Sequence, residues 1–505
     1  MYMPFLAASE RSFLEAVSGL ASSNPFLPEH TALERAALGP DFIEGEPLWS
    51  LPVEEPERPR ANIWLIAERL ERLMAQLRER LLAAGEPRER ELSLYEDGTL
   101  RLLYQRYYPK FNAATPGGAD SSGRWHFYRE FLADWRHFFP SSVRFPSSHD
   151  ARHTFALFRQ IQHAFDQILR DIIGGSLAAA RLRASVWQSI FTHDMLRYQR
   201  TLYARMREFA TLITGPSGTG KELAARAIAQ SRYLPFDERS LAFPGEQTEL
   251  FYPINISALS PTLVESELFG HRRGSFTGAV ADRKGWLEAC PEPGSVFLDE
   301  LGDLDLSVQV KLLRVIETRS FHPVGSTAAR AFRGKLIAAT NRDLAARSAA
   351  GEFREDLYYR LCSDQILTPS LAEQIADSPA ALQELIVYMT RRVAGAEGES
   401  LASDVSQWIE RNLPRDYAWP GNYRELEQCI KNVLIRRDYR PLRLQAAGPT
   451  DTLAADLNEG GITADELLSR YCTLVYRRTG SYEETARRLN LDRRTVKSKV
   501  LRQLP

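Results

Sequence analysis

The sequence predicts an α/β core with a helical lid, placed between a helical N-terminal domain and a small all-α domain at the C-terminus. Between residues 181 and 375, short apolar runs alternate with helical stretches, which is typical of a parallel sheet covered by helices. The pattern becomes helical throughout 376–440. A stretch punctuated by Pro and Gly at 441–462 indicates a linker before a last helical segment, 463–505. Residues 1–180 form the predicted N-terminal domain.

The N-terminal domain is predicted to be mostly helical. The stretch "IWLIAERLERLMAQLRERLLAAG" spaces its apolar residues three and four apart up to Gly85, and "WHFYREFLADWRHFF" is dense in aromatic residues. His149 and His153 lie four apart, so a metal or small-ligand site is conceivable there. Packing of aromatic residues in a helical core, with some histidines at the surface, is the simpler interpretation.

The composition excludes several classes of protein. The chain of 505 residues is 44% hydrophobic and carries a formal net charge of −1, so it is long enough for about three domains and is not basic throughout. Any contact with nucleic acid must then be local. The four cysteines form no CxxC pair, and no apolar run reaches the length of a membrane helix. We therefore expect a cytoplasmic protein with no membrane partner.

A glycine-rich loop, "GPSGTGKE", predicts a nucleotide site at the start of the α/β core. It follows the predicted strand "ATLIT" and opens a helix, which is the context in which GxxxxGK binds phosphate. The helix N-terminus adds positive potential, and Lys221 reaches the β- and γ-phosphates. Glu222 stands where the general motif has a magnesium-binding Ser or Thr, so the metal needs other ligands. The predicted nucleotide-binding residues of this loop are Gly215, Ser217, Gly218, Thr219, Gly220, Lys221 and Glu222.

Polar residues at the ends of two later strands complete a predicted hydrolytic site. The run "SVFLDE" delivers Asp299, suited to hold magnesium through water, and Glu300, suited to orient an attacking water as general base. "IAATNRD" ends a further strand with Asn341, which is placed to sense the γ-phosphate. "FREDLYYRL" carries Arg354 and Arg360, for which surface ion pairing is the ordinary role.

Residues 181–440 resemble the bacterial enhancer-binding proteins, which are AAA+ ATPases that activate the sigma-54 form of RNA polymerase. The most specific element is "ESELFGHRRGSFTGA", which is similar to the family's stretch ending in GAFTGA. In the family this loop tips a hairpin that touches the sigma factor. The resemblance implies that Phe276 is exposed as a contact residue. The alternative is a hairpin tip whose Phe folds back onto the core. The expected contact residues are Gly274, Ser275, Phe276, Thr277, Gly278 and Ala279.

The resemblance also assigns roles by position. Arg354 and Arg360 match arginine fingers that reach the ATP of a neighbouring subunit, which implies a homo-oligomeric ring, usually a hexamer, with ATP and Mg²⁺ as cofactors. Arg424 in "WPGNYRELEQC" matches the lid residue that contacts bound nucleotide. Asn255 in "INISALSPTLVESELFG" matches the asparagine that holds the catalytic glutamate, Glu300, until ATP is engaged.

This chain departs from the family pattern in four places. Ser275 replaces an alanine of the loop, and Pro216 replaces a common glutamate. The stretch "RYLPFDERSLAFPGEQTELF" lengthens the segment between Lys221 and Asn255, and "TPSLAEQ" replaces the typical PPLRER. We expect these changes to spare the ATP chemistry and to affect how the hairpin and the lid are coupled to it.

The C-terminal stretch "GSYEETARRLNLDRRTVKSKVLRQL" resembles the Fis-type helix-turn-helix. Between Tyr471 and Pro505, nine basic residues oppose three acidic ones, for a net charge of +6 that suits DNA phosphates. A solvated basic helix is the alternative. Asp492 is predicted to cap the second helix. The residues expected to meet double-stranded DNA are Arg493, Arg494, Thr495, Lys497 and Ser498.

The function predicted from these features is that of a sigma-54-dependent transcriptional activator. It would bind upstream enhancer DNA through a C-terminal end that forms a dimer, and it would use ATP hydrolysis in a ring to remodel the closed complex of sigma-54 RNA polymerase holoenzyme. The N-terminal domain would be regulatory and respond to an unknown ligand or protein, because no phosphoacceptor pattern is present. Two alternatives are a nucleotide-binding DNA regulator that acts without sigma-54 and an unrelated AAA+ remodelling ATPase.

Overall fold

The computed structural model describes residues 5–45, 61–83, 87–113, 124–147, 150–245, 249–441 and 462–501. The chain separates into two compact units, Met1–Arg437 and Asp438–Pro505. The predicted linker 441–462 lies almost wholly outside the described residues, as do His149, Arg502 and the side chains of Arg477 and Arg478.

Among the described residues, the first unit begins with seven α-helices, of which α1 to α6 contribute to one hydrophobic core, and α6 and α7 contribute to a second. The long amphipathic helix predicted up to Gly85 is α3, and its inward face buries Leu70, Met74 and Leu77. Side-chain caps start the last two helices of the group: Asp150 accepts from a backbone N–H of α6, and Ser176 from one of α7. The helices are α1 (Ala8–Ser22), α2 (Pro28–Leu38), α3 (Ala61–Ala83), α4 (Glu89–Ala113), α5 (Tyr128–Phe138), α6 (Ala151–Asp171) and α7 (Leu177–Phe191).

A parallel five-stranded sheet forms the centre of the first unit. Its order is β2-β3-β6-β1-β7, and every pairing is parallel, as the alternation of apolar runs and helices predicts. The strands are β1 (Thr211–Thr214), β2 (Phe251–Asn255), β3 (Ser295–Asp299), β6 (Lys335–Thr340) and β7 (Asp364–Leu367). A separate antiparallel pair joins β4 (Ser320–Phe321) to β5 (Arg330–Ala331).

Helices connect the strands and then form the lid. They are α8 (Met195–Arg197), α9 (Lys221–Gln230), α10 (Pro261–Phe269), α11 (Trp286–Ala289), α12 (Leu306–Thr318), α13 (Leu344–Ala349), α14 (Glu355–Leu361), α15 (Leu371–Asp377), α16 (Ala380–Ala394), α17 (Gly398–Asn412) and α18 (Asn422–Arg436). Single turns of 3₁₀-helix or π-helix occur at Gly39–Asp41, Tyr198–Leu202, Met206–Glu208, Ile256–Ala258, Leu301–Asp303 and Gly395–Glu397. The parallel order brings the carboxyl ends of β1, β3 and β6 to one edge of the sheet.

The N-terminal helices share a hydrophobic core with the sheet. The predicted boundary at residue 180 falls inside α7, and residues of α6, α7, α9 and the central strands belong to one buried cluster. Ile168 of α6, Ile190 of α7 and Ile228 of α9 are all buried in it. The segment between α7 and β1 is therefore not a linker made of exposed residues.

In the part of the second unit that the structure describes between residues 462 and 501, the chain forms three helices. They are α19 (Ala464–Thr479), α20 (Tyr482–Leu489) and α21 (Arg493–Leu501), and they bury Cys472, Ala486, Val496 and Val500 against one another. Asn490 adopts a left-handed conformation with φ of 50°, which turns the chain between α20 and α21.

Candidate functional site

The glycine-rich loop occupies the turn between β1 and α9. Gly215, Gly218 and Gly220 have φ values of 144°, 78° and 89°, a backbone region that L side chains rarely adopt. A Cβ atom on Gly215 would lie 2.2 Å from Thr368 Oγ1, so the loop also runs too close to β7 for any side chain. The loop therefore has the glycine-dependent geometry that the motif predicts.

Lys221 lies over this loop at the start of α9. Its Nζ donates to the carbonyl oxygens of Gly215 and Pro216, both at 3.0 Å. Burial lowers the pKa of Lys221, while the nearby carboxylates of Glu300 and Asp299 act to raise it. The structure thus places the two predicted catalytic carboxylates close enough to the predicted phosphate-binding lysine for their charges to act on its pKa.

Asp299 and Glu300 follow the fully buried residues of β3. Burial raises the pKa of Asp299, and Lys221 is among the charges that oppose this shift. Glu300 is held in a left-handed conformation with φ of 55°, which is strained for a residue with a side chain and is common at functional sites. Both side chains are half-buried.

The donor set at this edge fits a magnesium ion held mainly by Asp299. Carboxylate oxygens are preferred magnesium ligands, and Asp299 is the half-buried carboxylate closest in sequence to the proposed base. Glu222, at the position of the usual Ser or Thr, instead pairs with Arg226 at 2.8 Å along its own helix. The metal site predicted from the sequence is chemically consistent with these side chains.

The two predicted asparagines lie at the carboxyl ends of two strands, Asn255 at the end of β2 and Asn341 directly after β6. Asn255 is in register with Asp299 across the β2–β3 pair. Its Oδ1 accepts from Ser257 Oγ at 2.8 Å and from the N–H of Ala258 at 3.3 Å, so the carbonyl oxygen caps the following turn. Asn341 is exposed directly after β6. The role of Asn255 in holding Glu300 stays a prediction.

The lid contacts the loop through the start of α18. Arg424, predicted to contact nucleotide, places Nη1 3.4 Å from Ser217 Oγ. The next residue back, Tyr423, donates its backbone N–H to the carbonyl oxygen of Gly218 at 3.1 Å. The arginine is therefore beside the glycine-rich loop in the same chain.

Thr368 is a residue of this region that sequence reasoning did not identify. Its hydroxyl lies 2.6 Å from that of Thr219 in the loop, and both side chains are buried. The available signal was the departure "TPSLAEQ", where Thr368 opens the stretch that replaces PPLRER. In this chain, Thr368 therefore adds a polar contact to the glycine-rich loop.

Arg354 and Arg360 are exposed and pair with carboxylates of their own region. Arg354 is the N-terminal flanking residue of α14, and its Nε and Nη2 donate to Asp356 at 3.0 and 2.7 Å. Arg360 Nη2 lies 3.3 Å from Glu317 of α12. Their exposure leaves them accessible to a neighbouring molecule.

The loop Gly274–Ala279 forms a tight turn after α10. The N–H of Gly274 donates to the carbonyl oxygen of Ala279 at 2.8 Å, and the N–H of Ala279 donates to that of Phe276 at 3.0 Å. Thr277 and Gly278 are exposed, whereas Ala279 is buried. Gly278 has φ of 102° and no atom within 4 Å of a built Cβ, so it is required for its backbone conformation alone.

Phe276 is half-buried, and the expectation that it is exposed is therefore wrong. Its ring centroid lies 4.9 Å from that of His271 at an interplanar angle of 68°, an edge-to-face contact that covers part of the ring. The large apolar side chain exposed here is that of Val280, with 82% of its surface accessible. The sequence motif ended at Ala279, so Val280 was not singled out.

The second unit places the predicted DNA-contact residues on α21. Asp492 Oδ1 accepts from the N–H of Arg494 at 2.7 Å, which is the predicted cap. Arg493 pairs with Glu483 at 3.0 Å. Arg493, Arg494, Lys497 and Ser498 are exposed, and Thr495 is half-buried. Val496 and Val500 form the opposite, buried face of the helix.

The structure does not support a metal or small-ligand site at His153 in the N-terminal helices. Its Nε2 lies 2.7 Å from the carbonyl oxygen of Gln199, and its Nδ1 lies 2.9 Å from Tyr233 Oη. Both ring nitrogens thus have protein partners. Among the described residues there is no group of three or more His, Cys, Asp or Glu side chains arranged to hold a metal ion. Within the same residues, no helix is long and apolar enough to cross a bilayer.

Comparison with known proteins finds similarity in the central part of the chain. Residues 191–367 match the family described as the Sigma-54 interaction domain. The transcriptional regulatory protein ZraR of Klebsiella oxytoca is 38% identical over 298 residues, which cover 58% of this chain and 63% of that protein. The luminescence regulatory protein LuxO of Vibrio campbellii is 37% identical over 51% of this chain and 53% of its own length. The transcriptional regulatory protein GlrR of Escherichia coli is 39% identical over 48% and 52%. The chain thus spans between half and two thirds of these relatives.

Proposed function

We propose that the protein is a sigma-54-dependent transcriptional activator, because its residues 191–367 match the Sigma-54 interaction domain and 58% of the chain is similar to the transcriptional regulatory protein ZraR. It hydrolyses ATP in a ring and uses the conformational change to remodel the closed promoter complex of sigma-54 RNA polymerase. The observation that carries this proposal is the presence of the loop Gly274–Ala279 in the same matched domain as the Lys221, Asp299 and Glu300 cluster.

The proposed hydrolysis divides the work among these side chains. Lys221 exchanges the loop carbonyls for the β- and γ-phosphate oxygens of ATP, and the helix N-terminus stabilises the same charge. Glu300 accepts a proton from the water that attacks the γ-phosphorus. Asp299 would hold a magnesium ion, which would neutralise negative charge on the phosphates when bound. Asn341 senses the γ-phosphate. Arg424, in the lid, contacts the bound nucleotide.

The proposed active form is a ring of identical subunits. Arg354 and Arg360 are exposed, and they pair with nearby Asp356 and Glu317. In a ring, either guanidinium could exchange its carboxylate for the γ-phosphate bound to the next subunit. A single chain then lacks a charge that stabilises the transition state, so hydrolysis should depend on assembly. The proposed ring is a hexamer in the cytoplasm.

The C-terminal helices are proposed to bind DNA, and the N-terminal helices are proposed to regulate the ATPase. The basic helix α21 presents Arg493, Arg494 and Lys497 on its exposed side, which suits the major groove of an enhancer. The N-terminal helices share a core with the ATPase sheet, which supports a regulatory role for them. A ligand or protein acting on those helices is the proposed signal.

The experiment that tests the function combines hydrolysis with promoter opening. Full-length protein should hydrolyse ATP with magnesium and drive sigma-54 holoenzyme to an open complex on promoter DNA. Lys221→Ala should lose tight ATP binding, because the charge that meets the phosphates is gone. Glu300→Gln should keep binding and lose hydrolysis, because only the base is removed.

Each alternative function has its own outcome in this experiment. Hydrolysis without any open complex would favour an unrelated AAA+ remodelling ATPase. Nucleotide and DNA binding with no hydrolysis would favour a regulator that does no mechanical work. Near wild-type turnover by Glu300→Gln would contradict the assignment of the catalytic base.

A further inference from the structure

The lid and the glycine-rich loop are in contact along a short run of residues at the start of α18. A Cβ atom on Gly218 would lie 2.4 Å from the carbonyl oxygen of Gly421, so the two backbones approach more closely than side chains allow. Tyr423 donates its N–H to the carbonyl oxygen of Gly218, as described above. The position of the loop is therefore tied to the position of the lid.

Asn422 has its side chain at the centre of this contact. In its two shorter hydrogen bonds, Nδ2 donates to the carbonyl oxygen of Ser217 at 2.9 Å and Oδ1 accepts from the N–H of Leu371 at 2.8 Å. A longer contact of 3.5 Å joins Nδ2 to the carbonyl oxygen of Pro420. One partner is an acceptor and the other a donor, so the orientation of the amide is determined. Asn422 is 2% exposed, its bond with the N–H of Leu371 is buried, and its bond to the carbonyl oxygen of Ser217 is partly buried.

The two bonds serve different segments. Leu371 is the first residue of α15, and its N–H is one of the donors that a helix start leaves without an intrahelical partner. That bond stabilises the lid. The bond to Ser217 reaches instead into the loop whose N–H groups are proposed to bind phosphate. Asn422 also has φ of 53°, which asparagine tolerates better than most residues.

We propose that Asn422 is a positioning residue for nucleotide binding. Its amide couples the loop to the lid, so that the loop keeps its phosphate-binding shape when the lid is closed and relaxes when the lid opens. The proposal rests on the function proposed above, because it assumes that the loop binds ATP. It deepens that function by assigning the loop–lid coupling to one buried side chain.

Asn422→Asp separates the two bonds of the side chain. A carboxylate can still accept from Leu371, but it has no proton to donate to Ser217 and places an anionic oxygen beside a carbonyl oxygen. Asn422→Gly removes both bonds, keeps the left-handed backbone without strain and adds no charge near the phosphates. Asn432→Asp is the matched control, because Asn432 lies on the same helix and bonds only locally, to the carbonyl oxygen of Gln428.

The measurements are ATP hydrolysis and equilibrium binding of a fluorescent ATP analogue, made on full-length protein. Both Asn422 variants should raise the KM for ATP and the Kd of the analogue by about tenfold, the value of one buried hydrogen bond. The kcat at saturating ATP should change by no more than about twofold, since no group that touches the reacting atoms is altered. The Asn432→Asp control should match the wild type.

Hydrogen exchange distinguishes positioning from a purely structural role. The amide of Leu371 should exchange faster in Asn422→Gly, which lacks its acceptor, than in Asn422→Asp, which keeps one. Unchanged KM and Kd in both variants, with or without a lower unfolding temperature, would overturn the proposal. A wild-type protein that binds the analogue but does not hydrolyse ATP would contradict the proposed function alone, and the Kd comparison would still decide the role of Asn422.

Discussion

The aromatic core of the N-terminal helices and the edge of the sheet that carries Lys221 are built in opposite ways. In the first region, Phe155 is fully buried, with ring centroids of Phe111, Tyr128 and Phe236 at 5.0, 4.9 and 4.8 Å. In the second, half-buried charged groups and backbone at positive φ replace apolar packing. Stability should therefore reside mainly in the first region and activity in the second.

The first region also includes part of the ATPase half of the chain. The segment 232–245 belongs to the stretch that lengthens the spacing between Lys221 and Asn255, and it buries Phe236 and Phe243 among the N-terminal aromatic residues. Trp125 donates its N–H to the carbonyl oxygen of Leu241 at 2.7 Å. This segment follows α9 and precedes β2. The N-terminal residues therefore contact the chain between two parts of the nucleotide site.

The largest effect is expected from the exposed arginines. Arg354→Ala and Arg360→Ala should each lower the rate of ATP hydrolysis by a factor of about 10³ to 10⁵, because an arginine supplied by a neighbouring subunit stabilises the transition state. The unfolding temperature should change little, since exposed ion pairs contribute at most about 1 kcal/mol. Arg411→Ala, at an exposed position of α17, is the control.

Mixing tests whether these arginines act between subunits. Rings assembled from Arg354→Ala chains and Lys221→Ala chains should recover part of the activity at interfaces that pair an intact site with an intact arginine. No recovery in fully mixed rings would contradict action in trans. A large loss of stability in either arginine variant would break the contrast between the two regions.

The next largest effect is expected in the aromatic core. Phe155→Ala should lower the free energy of unfolding by about 3–5 kcal/mol, because it deletes a buried ring and leaves a cavity. Phe209→Ala, at a position that is 42% exposed, is the matched control and should cost far less. Urea denaturation of the full-length proteins measures both. Equal losses in the two variants would show that the aromatic cluster contributes no special stability.

A smaller, pH-dependent effect is expected at Glu96 in the same region. Burial raises the pKa of Glu96 to about 7, while its hydrogen bonds to Ser147 and the charge of Arg200 act to lower it and Asp97 acts to raise it. The folded state therefore binds more protons than the unfolded state, in which the pKa is about 4.3. This contribution is present at low pH and is lost as pH rises through the window between about 4.3 and 7.

Glu96→Gln removes this dependence. Its unfolding temperature, relative to the wild type, should be higher at pH 8 than at pH 5, because the variant has no charge to bury. Thermal unfolding at the two pH values measures the difference. A constant offset at both values would contradict the pKa shift.

The site was more predictable from the sequence than the contacts between domains. "GPSGTGKE" and "SVFLDE" are local patterns, and the parallel strand order alone brings Lys221 and Asp299 to one edge. The helix-turn-helix of the second unit follows from its own caps and apolar spacing. By contrast, periodicity shows which face of a helix is apolar but does not identify what covers it. The packing of α6 against segment 232–245 was therefore not predicted.

Phe276 shows the same limit at the scale of one side chain. Glycines and small polar residues on both sides indicated an exposed tip, yet the ring rests on His271, five residues earlier. A contact across a turn depends on the backbone path, which the motif does not specify. Thr368 and Asn422 escaped notice for a related reason, because each contacts the glycine-rich loop from a distant part of the chain.

In the proposed function, ATP hydrolysis at the sheet edge acts on sigma-54 polymerase through the loop Gly274–Ala279. Phe276→Ala removes one half-buried ring, so it should cost only about 1 kcal/mol of stability. It should leave ATP hydrolysis near the wild-type rate. The decisive measurement is open-complex formation by sigma-54 holoenzyme on promoter DNA, run beside an ATPase assay on the same preparation. We expect Phe276→Ala to hydrolyse ATP but to open no promoter, and full promoter opening by this variant would rule out a role of the loop in acting on the polymerase.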